Sequence, residues 1–127
     1  MRKTRILLVS TPALSHFIRH LFHDQPEFEV VGSLRGLRSL ARQAGRLRPE
    51  LIVASVNPVG TGVCPAVGAI KRSSPGSKLI LICPISTLVS DARRCGADAY
   101  LDPEKLVRGL VPAASALSTR ALRIRIG

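Results

Sequence analysis

A chain of 127 residues, 46% of them hydrophobic, has the length for one domain with a full core and not for two. No apolar run approaches the roughly 20 residues of a membrane span, and the apolar part of Met1-Arg-Lys-Thr-Arg-Ile-Leu-Leu-Val-Ser10 is too short for a signal peptide, so a soluble cytoplasmic protein is expected. Nineteen basic residues against eight acidic ones give a net charge of +11, a surface that attracts nucleic acid, acidic proteins or anionic lipid heads, although an arginine-rich composition also follows from a high-GC genome.

Arg5-Ile-Leu-Leu-Val-Ser10 is an unbroken apolar run of strand length, as in a strand buried on both faces of a parallel sheet, and is expected to be the first and most central strand. Ser10-Thr11-Pro12 supplies a helix start, a hydroxyl that can cap and a proline that costs nothing in the first turn. That helix should reach about His23, with Leu14, Ile18, Leu21 and Phe22 toward the sheet.

Phe28 to Ser33 alternates more and reads as a second strand nearer an edge. From Leu34 to Leu47 a helical period places Leu37, Leu40, Ala41, Ala44 and Leu47 on one face, with Arg35, Arg38, Arg42 and Arg46 opposite. A third strand, Leu51 to Ser55, empties into a loop holding Pro58, Gly60 and Gly62, and a third helix carries Val67 and Ile70 up to Ser73-Ser-Pro-Gly76. Lys78 to Cys83 is a fourth buried strand. A short helix from Ser86 to Cys95 follows, with Gly96 as its C-cap and Asp98-Ala-Tyr-Leu101 as a short fifth strand. Asp102-Pro103 opens a last helix through Leu106, Leu110 and Ala114 that Pro112 should bend or divide. The domain is expected to end near residue 117, and residues 118–127, basic and without a clear partner, should form a frayed tail.

Five alternations of strand and helix with crossovers of ordinary length indicate an α/β fold, an open parallel sheet covered on both faces. A ligand site in such a sheet lies beyond the carboxyl ends of the strands, where the first and third strands flank a switch point. Ser10, Thr11, Ala54, Ser55, Cys83 and Asp102 fall around that crevice.

Arg5-Ile-Leu-Leu-Val, Glu27-Phe-Glu-Val-Val-Gly32, Leu47-Arg-Pro-Glu-Leu-Ile-Val53, Pro58 with Gly62, Lys78-Leu-Ile-Leu-Ile82 and Gly96-Ala-Asp-Ala-Tyr-Leu101 together resemble the receiver domain of bacterial two-component response regulators, of the chemotaxis-regulator kind. The resemblance covers residues 5 to about 117 and implies a flavodoxin-like, doubly wound (βα)5 three-layer sandwich with sheet order 2-1-3-4-5. In that family an acidic pair after the first strand holds Mg²⁺ and an aspartate ending the third strand accepts a phosphoryl group. A Thr or Ser ends the fourth strand and a Lys the fifth. Carboxylates are the hard oxygen ligands Mg²⁺ prefers, and metal and lysine offset the phosphoryl charge. Here Ser10 and Thr11 stand at the acidic pair. The acceptor position is Ala54 if Pro58 and Gly62 set the alignment and Ser55 if Pro49-Glu50 does. Cys83 is at the switch position, and Asp102 or Pro103 at the lysine, with Lys105 the nearest ammonium. The departures imply a degenerate pseudo-receiver, independent of phosphorylation, that needs no cofactor.

Other groupings weigh less. Cys64, Cys83 and Cys95 are odd in number and lack a C-x-x-C pair, which fits reduced core thiols better than disulfides or structural zinc. His16, His20 and His23 share an outer stripe of the first helix, a spacing that suits metal ligands but also an ordinary polar face; no metal is expected. Four arginines within one narrow stripe repel unless something anionic meets them, so Arg35, Arg38, Arg42 and Arg46 are the expected partner surface for a polyanion. Three Phe and one Tyr in the whole chain give little for base stacking, so any nucleic-acid contact should be to the phosphate backbone. The resemblance implies a face for homodimers or output contacts on the short helix 86–95, the fifth strand and the last helix, with Leu88, Val89, Leu106 and Leu110. With no Gly-rich phosphate loop, acid pair or ordered Ser/His/Asp set, a binding and signalling module is expected ahead of an enzyme.

Overall fold

A computed structural model describes residues 3–36, 39–55, 63–83 and 96–126. In chain order the elements are β1 (Thr4–Val9), α1 (Pro12–His23), β2 (Phe28–Leu34), α2 (Leu40–Leu47), β3 (Leu51–Ser55), α3 (Val63–Ser73), β4 (Lys78–Ile82), β5 (Ala99–Leu101) and α4 (Leu106–Ile126). A single 3₁₀ turn, Pro103–Lys105, leads into α4. The strands form one parallel sheet in the order β2-β1-β3-β4-β5. This is the doubly wound α/β arrangement expected, with β3 rather than β1 at its centre.

Alternation along buried strands produces two cores from one sheet. Ile6, Leu8, Leu51, Val53, Ile80 and Ile82 point to the side covered by Ile18 and Phe22 of α1 and by Leu106, Leu110 and Ala114 of α4. Leu7, Val9, Ile52, Ala54, Leu79 and Leu81 point to the other, under Leu40 and Ala44 of α2 and Val67 and Ile70 of α3. The two faces consume nearly every side chain of β1, β3 and β4. On β2 the register against β1 slips between Ile6 and Leu7, a bulge that turns this outer strand.

Two expectations are corrected. The second helix begins at Leu40, not Leu34, because Leu34 still pairs with Val9 at the end of β2; Arg35 and Gly36 lie between strand and helix. The last helix runs to Ile126, past the boundary expected near residue 117, and Pro112 lies within it without dividing it. Pro112 and Arg108 are both on the solvent side, so the carbonyl that loses its helical donor faces water. The Pro58/Gly60/Gly62 loop and the helix expected over 86–95 lie outside the described residues.

Polar contacts hold the strand ends. Gly96 stands at φ +87°, a left-handed conformation that side chains resist. It delivers the chain to Asp98, whose Oδ2 accepts from the Leu79 N–H at 2.7 Å and from Lys71 Nζ at 2.8 Å. The Asp98 N–H donates in turn to the Leu79 carbonyl at 2.9 Å. The aspartate thus ties the entry of β5 to β4 and α3. At the amino edge of the sheet, the buried Ser74 and Ser77 hydroxyls lie 2.6 Å apart, and Ser77 donates to the Pro49 carbonyl ahead of β3.

Asp98→Ala strands a backbone donor at a packed strand end and is expected to lower stability by about 1–3 kcal/mol in urea denaturation. Lys71→Ala removes a partly exposed ion pair and a long contact to the Ser77 carbonyl and should cost less than about 1 kcal/mol.

Candidate functional site

The carboxyl edge of the sheet gathers the residues that the sequence assigns to the crevice, and strand register sets their heights. Val9 is level with Ala54, Ser55 with Ile82, and Ile82 with Leu101. Ser10, Cys83 and Asp102 each stand one residue beyond those pairs. Of the six residues expected here, Asp102 is the single carboxylate.

Each is held by local chemistry. Ser10 is buried, and its Oγ is 2.5 Å from Ser15 Oγ of α1. Thr11 is the N-cap of α1, its hydroxyl accepting from the Leu14 N–H at 3.3 Å, the start predicted from Thr11-Pro12. Ala54 has no exposed surface and lies in the α2/α3 core with Val9 and Cys83. Ser55, half-buried, falls by alternation on the α1/α4 side. The two alignments of the acceptor position therefore place it on opposite faces of β3.

Cys83 is fully buried, its N–H donating to the Leu101 carbonyl at 3.0 Å. Burial, and secondarily the neighbouring Asp102 carboxylate, push its thiol above the ordinary range. Asp102 Oδ1 accepts from the Glu104 N–H at 2.8 Å and caps the 3₁₀ turn, while Lys105 is exposed on that turn.

The other expected surfaces are redistributed. Arg42 and Arg46 are exposed on α2, Arg35 precedes the helix, and Arg38 lies outside the described residues; the four do not form one helical stripe, because α2 starts late. Leu106 and Leu110 are buried under the sheet and are unavailable to a partner, while Leu88 and Val89 lie outside the described residues. Exposed large apolar side chains occur instead at Val107 on α4 and Phe17 on α1. His16, His20 and His23 are exposed along α1.

The sequence reading missed the bracket at Asp98. The Gly-Ala-Asp-Ala-Tyr-Leu motif contained the signal, a carboxylate in an otherwise apolar approach to a strand. It also missed a cleft of about 290 Å³ beside Ser10, between α1 and the end of β2; its residues come from two separate segments, visible together only once β2 is paired with β1.

Similarity in structure is extensive and similarity in sequence is slight. A two-component response regulator of the LuxR family from Aurantimonas sp. superposes with a TM-score of 0.79 at 22% identity, over 92% of this chain and 86% of that one. The receiver domain of AraT, a response regulator from Geobacillus stearothermophilus, gives 0.77 at 17% identity over 95% and 97%. RcsB of Salmonella typhimurium gives 0.79 at 17% identity over 94% of this chain and 61% of RcsB. No protein-family model matches the chain, and no curated protein does. At these identities the match establishes the fold, that of a response-regulator receiver domain. Among the described residues no helix is long and apolar enough to cross a membrane.

In a Cys64→Ser, Cys95→Ser background, the Cys83 thiol should titrate above an ordinary cysteine when followed by thiolate absorbance. Asp102→Asn should lower that midpoint only in part, because burial is the larger cause. A raised folded-state value means that the native state keeps its proton while the unfolded chain loses it, so this contribution to stability is full below about pH 8.5 and declines as pH rises through the folded value.

Proposed function

We propose that the chain is a receiver-fold signalling module that works by protein contact and no longer depends on phosphoryl transfer. The observation that carries this reading is Ala54, fully buried among Val9 and Cys83, where a charged acceptor would have to be desolvated inside an apolar core. Ser10 and Thr11 support it, since their hydroxyls are engaged in the start of α1 and neither offers the carboxylate that Mg²⁺ prefers. In this reading Ser10, Thr11, Ala54, Ser55, Cys83 and Asp102 are the altered remains of a phosphorylation site in a cytoplasmic pseudo-receiver. Its place is in two-component signalling or transcriptional regulation, without catalysis. A homodimer or output contact would use β5 and α4 with the exposed Val107, together with Leu88 and Val89 from the segment that precedes β5.

A second reading, binding of nucleic acid through Arg35, Arg38, Arg42 and Arg46, is favoured by the net charge of +11 and by the exposure of Arg42 and Arg46. RcsB, a structural neighbour, is a response regulator that interacts with DNA; for this chain the supporting chemistry is phosphate attraction alone.

Incubation with acetyl phosphate and Mg²⁺ should leave the intact mass unchanged, and a stoichiometric phosphate adduct would refute the first reading. For the second, duplex DNA binding should weaken steeply with salt and fall further in Arg42→Glu with Arg46→Glu; binding that ignores both salt and these substitutions would remove it.

A further inference from the structure

Pro12, Ser15, His16 and Arg19 recur at i, i+3, i+4 and i+7 and so share one stripe of α1. In the folded chain this stripe meets Ser33 to Arg35 at the end of β2, and the two enclose a cleft of about 290 Å³ floored by Ser10. Ser33 is level with Leu8 on β1, whose side chain faces the α1 core, which explains why it joins the α1 stripe across the cleft. The lining contains two guanidinium groups and an imidazole and no carboxylate. Among the described residues neither Arg19 nor Arg35 has an acidic partner, the one ion pair there being Lys71 with Asp98.

We infer that this cleft is a binding site for a small phosphomonoester, held by Arg19 and Arg35 with His16 and Ser33 beside them. Guanidinium forks match phosphate oxygens in pairs, and a phosphate of charge near −2 neutralises two arginines where a single carboxylate leaves one uncompensated. At about 290 Å³ the cleft lies at the lower end of small-molecule pockets, a size that a small phosphorylated ligand fills. The apolar wall is limited to Pro12 and Leu34 and the rest of the lining is polar or basic, which suits the hydroxyls of a sugar or polyol phosphate. The floor is neutral: Ser10 and Ser15 bond to each other at 2.5 Å, and a bound anion meets no repelling charge. Because Ser10 and Thr11 join the end of β1 to the start of α1, occupancy would bear directly on the carboxyl edge of the sheet. This site does not depend on the fate of the phosphorylation chemistry.

The test is a titration of the full chain with ribose 5-phosphate and, separately, inorganic phosphate, followed by amide chemical shifts and calorimetry. Saturable one-site binding is expected, with shifts confined to Ser10, Ser15, His16, Arg19, Ser33 and Arg35. Arg19→Gln with Arg35→Gln should weaken it by at least about tenfold, the loss of one charge-assisted contact or more. The charge-matched pair Arg42→Gln with Arg46→Gln should bind as the unaltered chain does. Ser33→Asp, which puts a carboxylate into the cleft from an exposed strand position, should abolish binding with the fold intact by circular dichroism. Tighter binding of ribose 5-phosphate than of inorganic phosphate assigns the site to an organic phosphate; equal affinity assigns it to the phosphate ion. Absence of saturation, shifts spread over all basic surfaces, or equal losses in both arginine pairs would overturn the site in favour of general polyanion attraction.

Discussion

Burial of β1, β3 and β4 on both faces is the constraint on which the rest of the structure depends. Each strand feeds two cores by alternation, so a residue's place in the strand decides which helix pair it meets. Ile6 and Leu8 belong to the α1 and α4 side, Leu7 and Val9 to the α2 and α3 side. A slip of one residue would exchange the two sets and turn each against the wrong helices. The parallel pairing through the middle of the sheet is correspondingly regular, and the one irregularity lies on the outer strand β2.

That constraint reaches the carboxyl edge, where chemistry in an open parallel sheet ordinarily resides. Ala54 and Cys83 are drawn into the α2/α3 core. Ser10 and Thr11 are drawn into the start of α1, and Asp102 caps the turn before α4. A residue already engaged in packing or capping has less freedom to coordinate an ion or present a nucleophile. The same logic explains Asp98, which is conspicuous in sequence yet serves as a bracket between β4, β5 and α3.

The strands were legible because long branched runs such as Ile6 to Val9 and Leu79 to Ile82 leave no other period to follow, whereas their order followed from the resemblance and not from the runs, which put β1 rather than β3 at the centre. The start of α1 was legible from Thr11 and Pro12, whose conformational preferences are local. The start of α2 was not, because Leu34 satisfies a helical spacing and a strand alternation equally, and only its pairing with Val9 decides between them. The break expected at Pro112 does not occur, because the effect of a proline within a helix depends on whether the freed carbonyl faces water, which is a tertiary fact. Position in the crevice was readable from the resemblance, residue by residue; the burial of Ala54 and the cleft between Arg19 and Arg35 required the fold.

The proposed reading is of a scaffold that acts through its shape, with control moved away from phosphoryl transfer. The most direct test is the amide spectrum of the full chain with Mg²⁺ and beryllium fluoride, which mimics an aspartyl phosphate. A scaffold released from that control leaves the resonances of Ala54, Cys83 and Asp102 unmoved at saturating concentrations; a saturable, one-to-one shift centred on those three residues would contradict it.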